Sequence, residues 1–170
     1  LSVRYANWIG LHKAQSIEVF SNRGTSGIDG CTSTVVGHCL ASPTMHTLIT
    51  GDLAFFYDRN AFWHNYPLPN LRIVLLNNQG GAIFGVIDGP ASLPELNEYF
   101  VTQQRLTAKH LAAEFNLSYD HLSRADSKES IEKQLQRFYE PGPHAKILEV
   151  ESDAMEAVKY FKQFKESIQL

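Results

Sequence analysis

The chain has 170 residues, 44% apolar and 19% charged, with a formal net charge of −3. That length supports one domain with a full core, and the composition is that of a globular protein, not a disordered or fibrous one. With no basic run there is no footprint for nucleic acid. No apolar run approaches the ~20 residues of a membrane helix, so no integral membrane segment is expected.

In chain order, Leu1, Tyr5, Trp8 and Ile9 fall at helical spacing and predict a helix over residues 1–13. The chain opens on Leu, inside that run and with no visible signal peptide, so a fragment of a longer polypeptide is expected. Ile17, Val19 and Phe20 are β-formers and predict a short strand over 16–21. A permissive loop follows, Asn22 to Gly30, with three glycines among small polar residues. Cys31 to Ala41 reads as a helix ended by Pro43, and Thr47 to Thr50 as a strand. Two cysteines, Cys31 and Cys39, stand roughly two turns apart on that helix, too far to bridge; reduced thiols in a cytoplasmic protein are expected.

Phe55 to Tyr66 is expected to be an aromatic-rich helix stopped by Pro67 and Pro69, with Asp58 as an N-cap. Leu71 to Leu76 lacks period-two alternation, as a strand covered on both faces does. Residues 83–94 read as a loop, and Ser92 with Glu95 as a capping box. Then come a helix over 107–115, a strand over 117–122, and an amphipathic helix over 127–139 with Ile131, Leu135 and Phe138 on one face. A strand over 145–150 and a helix over 153–168, opened by Asp153 and Glu156, complete the chain. Strands alternating with helices predict an α/β three-layer sandwich around a mainly parallel sheet.

The stretch from Gly51 to Phe84 organises the rest. Gly51-Asp52 and Asn77-Asn78-Gln79-Gly80-Gly81 each follow an apolar strand. At the carboxyl edge of an open parallel sheet, that is where ligands bind. A carboxylate, a side-chain amide and the carbonyls of a glycine turn are hard oxygen ligands suited to Mg2+ beside a phosphate. The paired glycines let a backbone approach a diphosphate. His38, His46 and His64 have no ligand spacing with a cysteine or carboxylate, which argues against zinc. Neither Ser26 nor Cys31 has a visible base partner, which argues against a hydrolase triad.

Gly-Asp, a spacer of about 25 residues and Asn-Asn resemble the diphosphate and metal motif of thiamine diphosphate enzymes. Leu53 stands where many of those enzymes have Gly or Ala. The loop from Ser21 to Gly30, the Gly51-Asp52-Leu53 run with Asp58, Asn60 and Ala61, and the segment from Asn77 to Phe84 are similar to the SEPHCHC synthase family. That family belongs to menaquinone biosynthesis and adds a succinyl semialdehyde unit, from decarboxylated 2-oxoglutarate, to isochorismate.

The resemblance implies a sheet of about six strands and a diphosphate-binding domain over residues 1–170. It implies thiamine diphosphate with Mg2+ or Mn2+ as cofactors, and Asp52, Asn78 and Gly80 as metal ligands. Ile28, Gly51, Asp52, Leu53, Asn78, Gly80, Gly81 and Ile83 are the implied cofactor contacts, Ile28 as the prop for bent thiamine. Arg4, Arg23 and Phe84 are the implied substrate contacts. Asp29 reads as a loop or cap residue. No catalytic residue is expected in this stretch, because the family's activating glutamate lies on another domain. The full-length enzyme is expected to be a homodimer or homotetramer, and the isolated chain to be inactive. A domain of another thiamine diphosphate enzyme, of the acetolactate synthase type, and a noncatalytic assembly module remain as alternatives.

Overall fold

The computed structural model describes residues 3, 6, 10, 17–22, 24, 27–64 and 66–167. Most of the expected first helix, Arg4 included, lies outside these residues, as does Arg23.

Four strands form one parallel sheet: β1 (His46–Gly51), β2 (Leu71–Asn77), β3 (Ser118–Leu122) and β4 (Lys146–Glu151), in spatial order β1-β2-β4-β3. The register pairs Gly51 with Leu76 and Asn77 with Glu151, so the ends of β1, β2 and β4 share one edge. β2 and β4 are central, and their apolar runs are buried on both faces. On one face Leu71, Ile73, Leu75 and Ile147 pack against α1 (Cys31–Ala41), α2 (Asp52–Tyr57) and α3 (Ala108–Glu114), through Val36, Cys39, Phe55, Leu111 and Ala112. On the other, Leu148 and Leu122 meet Phe138 of α4 (Lys128–Tyr139), with Val74, Ile131 and Val150 at the margin. The last helix, α5 (Ala154–Ser167), buries Phe161. These are the three layers expected. Truncating Phe55, fully buried at the centre of the larger core, removes burial worth about 3–5 kcal/mol.

The described sheet has four strands, not about six. Ile17, Val19 and Phe20 form no ladder and are more than half exposed. The Phe20 ring instead lies 5.4 Å from the His38 ring of α1. β-propensity gives a strand only where a partner edge is engaged, so the strand expected over 16–21 is corrected.

The helix expected over 55–66 begins earlier, at Asp52, and breaks at Asp58; a 3-10 turn over Arg59–Phe62 follows. Asp58 does not cap its own helix. Its carboxylate accepts from the Ser33 N–H and hydroxyl, both at 2.7 Å, and so caps α1, whose own N-cap is the left-handed Gly30 with no side chain to offer. Ser92 and Glu95 form no box: the Ser92 hydroxyl donates to the Gly89 carbonyl, and a π turn at Leu96–Phe100 follows uncapped. Asp153 does open α5, accepting from the Met155 and Glu156 N–H groups. Glu156 pairs with Arg124.

Candidate functional site

The carboxyl edge carries the predicted metal set. Asp52 opens α2 directly after β1, and β2 ends at Asn77, placing Asn78 and Gly80 in the next turn. Asp52 is only 3% exposed. Burial pushes its carboxyl above the ordinary 3.8, against hydrogen bonding from the Gln104 side chain and the Leu53 and Gly80 backbone. The Asn78 side-chain oxygen accepts from Gly80 N–H at 3.2 Å. The structure therefore brings Asp52, Asn78 and Gly80 into one neighbourhood from two strand ends.

The set fits a hard divalent cation in two respects. It offers oxygens only, and its carboxylate is a buried anion that forms no ion pair with Lys, Arg or His among the described residues. The described residues hold no cluster of three or more His, Cys, Asp or Glu side chains suited to a metal. The set at issue is one carboxylate with amide and main-chain oxygens.

The glycine turn is tight for a reason internal to the chain. A Cβ on Gly80 would fall 2.9 Å from Val101 Cγ1, and one on Gly81 would meet the Phe100 and Val101 carbonyls at 3.2 Å. Gly81 N–H also donates to the Val101 carbonyl at 2.6 Å. The turn's left-handed residue is Gln79, at φ 61°, not a glycine. Gly51 lies at the β1 end, and Leu53, Ile83 and Phe84 are half-buried near the edge, with Phe84 against Phe100 at 5.6 Å. Ile28 does not match the expectation of burial: it is 44% exposed in the loop before α1. Cys31 and Cys39 are free thiols, both pushed up chiefly by burial, Cys39 to about 11.

Two site residues escape sequence reasoning. Gln104 donates through Nε2 to Asp52 Oδ2 at 2.7 Å and to Asn77 Oδ1 at 3.2 Å. Glu149, on β4, is buried and accepts from Asn77 Nδ2, the Thr107 and Tyr119 hydroxyls, and Ala108 N–H. Burial, aided by Glu149, pushes the Tyr119 phenol up to about 12, against the Thr107 hydrogen bond. An acid inside the apolar Ile147–Val150 run is a visible signal for Glu149, whereas nothing local marks Gln104. Beyond this network lies an open cavity of about 560 Å3 bordered by Asn77, Arg105, Lys109, Tyr119, Glu149 and Glu151; it does not include Asp52, Asn78 or Gly80.

No family profile matches the chain. A 2-succinyl-5-enolpyruvyl-6-hydroxy-3-cyclohexene-1-carboxylate (SEPHCHC) synthase of Cytophaga hutchinsonii is 52% identical over 169 residues, covering 99% of this chain and 30% of that protein. The same name recurs among the relatives of this chain. The protein of that name from Flavobacterium johnsoniae is 44% identical over 96% of the chain and 28% of its own length. Another from Flavobacterium psychrophilum is 49% identical over 78% of the chain and 23% of its own length. The chain thus spans less than a third of the curated SEPHCHC synthases it matches. No helix among the described residues is long and apolar enough to cross a membrane.

Proposed function

We propose that the chain is the diphosphate- and Mg2+-binding domain of a thiamine diphosphate-dependent SEPHCHC synthase. The full-length enzyme would decarboxylate 2-oxoglutarate and add the succinyl semialdehyde unit to isochorismate, in the cytoplasm, as a homodimer or homotetramer. The observation that carries this reading is the buried Asp52 carboxylate, without a cationic partner among the described residues, beside the Asn78–Gly80 turn. The likeness to SEPHCHC synthases over nearly the whole chain supports it.

Asp52, Asn78 and the Gly80 carbonyl would hold Mg2+ or Mn2+. Gly51, Leu53, Gly81 and Ile83 would line the cofactor, with Ile28 completing its apolar wall. Bound thiamine diphosphate supplies the electron sink that decarboxylation needs. Arg4 and Arg23 would take substrate carboxylates through their paired N–H forks, and Phe84 would exclude water beside them. The activating carboxyl group belongs to another domain, so the isolated chain would not turn over.

The test is calorimetric titration of the full-length protein with thiamine diphosphate and Mg2+. Asp52→Ala abolishes metal-dependent cofactor binding and keeps the native far-UV spectrum. Unchanged binding would remove Asp52 from the site. Arg23→Lys, which cannot reproduce the planar fork, raises the Michaelis constant for a substrate with cofactor affinity unmoved; the reverse pattern would reassign Arg23 to the cofactor.

A further inference from the structure

We propose that Gln104 is the positioning residue of the metal site, fixing the rotation of the Asp52 carboxylate through a two-pronged amide bridge; this rests on the metal reading of Asp52. Both hydrogens of the Gln104 amide are committed, one to Asp52 Oδ2 at 2.7 Å and one to Asn77 Oδ1 at 3.2 Å. Its oxygen accepts from Leu106 N–H. The orientation is dictated by these partners. Turned over, the amide would set its oxygen against a carboxylate and a carbonyl and its NH2 against an N–H donor.

The backbone is pinned as firmly as the side chain. Gln104 N–H donates to the Gln79 carbonyl at 3.1 Å, and Val101 accepts from Gly81. Gln104 is therefore stapled to the same turn that carries Asn78 and Gly80. A carboxylate on a helix's first residue keeps freedom about its terminal torsion. Here one oxygen is held by a charge-assisted bond from a side chain with no freedom of its own. Asn77 completes the brace. It accepts from Gln104 and from Gln79 N–H, and donates to Glu149 Oε1 and the Leu106 carbonyl. The bridge thus runs from Asp52 after β1, across β2, to Glu149 on β4. A carboxylate stands at each end and amides lie between. A metal ligand braced this way presents one fixed face to a cation, as outer partners of metal ligands generally do.

The experiment titrates Mn2+ into the full-length protein with saturating thiamine diphosphate, reading free and bound Mn2+ by electron paramagnetic resonance. Gln104→Met keeps the length of the side chain and removes the amide. It is expected to weaken Mn2+ binding by about tenfold or more and to change the bound-Mn2+ spectrum, because Asp52 Oδ2 loses the side-chain partner that orients it and only backbone N–H groups remain. Should that variant fail to fold, Gln104→Asn, which keeps the amide but falls one methylene short, is read the same way. Asp52→Ala runs in parallel. Loss of binding in Asp52→Ala with wild-type affinity in the Gln104 variant overturns the bridge and keeps the metal site. Weakened binding with an unchanged bound spectrum also overturns it, since a merely structural role gives that pattern. Wild-type binding by Asp52→Ala overturns the metal site itself.

Discussion

β2 carries a buried charge near its start and adjoins another at its end, and the two are handled differently. Arg72, fully buried, donates to the carbonyls of Phe138, Pro69, Leu71 and Glu140 at 2.7–3.0 Å. Two of these carbonyls lie at the carboxyl end of α4, where the helix dipole favours a cation. Asp52, about as deeply buried, is met by one side-chain amide and by backbone N–H groups. Burial lowers the Arg72 pKa and raises that of Asp52, so each site disfavours its own charge. The Arg72 cluster is a closed structural joint, its guanidinium filled by fixed carbonyls that bind the strand to the helix. The Asp52 cluster lies on the carboxyl edge of the sheet with no cationic partner among the described residues. The fold surrounds one buried charge with four carbonyls; the other would be completed by the cation proposed above.

The largest effect should come from breaking the closed joint. Arg72→Met leaves four main-chain carbonyls without their donor and should cost about 3–5 kcal/mol. Urea unfolding measures it. Metal affinity, measured below the unfolding transition, should stay within experimental error, and a parallel loss of affinity would erase the distinction between the two clusters.

Tyr119→Phe tests the far end of the open network. It removes a donor from the buried Glu149 carboxylate and should cost about 1.5–3 kcal/mol. Burial pushes the phenol up to about 12 in the folded chain, against an ordinary 10.0. The unfolded chain therefore loses this proton first, and the stability Tyr119 contributes is complete below pH 10 and fades as pH rises toward 12. Denaturation at alkaline pH should show that decline in the wild type and less of it in Tyr119→Phe.

Asp52→Asn should act in the opposite direction. A carboxyl raised above 3.8 on folding costs stability at neutral pH, and the cost vanishes as pH falls through the folded value to below the ordinary one. The metal-free variant should melt higher than the wild type at pH 7, by on the order of a few degrees. The gain should disappear on acidification, and metal binding should be lost. A lower melting temperature at pH 7 would mean that Asp52 is already compensated within the fold, as Arg72 is.

The smallest effect belongs to the turn after β2. Gln79 pays for φ 61° without being glycine, so Gln79→Gly should change stability by less than about 1 kcal/mol, toward stabilisation. Thermal melts at neutral pH measure it.

By itself the sequence determined the alternation of strands with helices and the edge. The unalternating apolar run of β2 marked it as covered on both faces, because such a strand has no polar side to show. Gly51-Asp52 and Asn77-Asn78 stood after strands, and parallel strands put their ends on one edge, so the two polar segments could be grouped from local pattern, while the set Asp52, Asn78 and Gly80 came from the resemblance. Asp153 was legible as a cap because capping acts within one turn. Tertiary structure decided what depends on distant partners. The β-formers at Ile17 to Phe20 engage no ladder among the described residues, and Asp58 serves a helix 25 residues away. Gln104 reaches Asp52 across 52 positions, and Asn77 reaches Glu149 across 72. Glutamine at 104 carries no periodicity, turn chemistry or cap signal, and Arg72 reads as a stray charge in a strand. Their roles come from which carbonyls and carboxylates the packed chain brings within hydrogen-bond reach, and that is fixed only when the layers close.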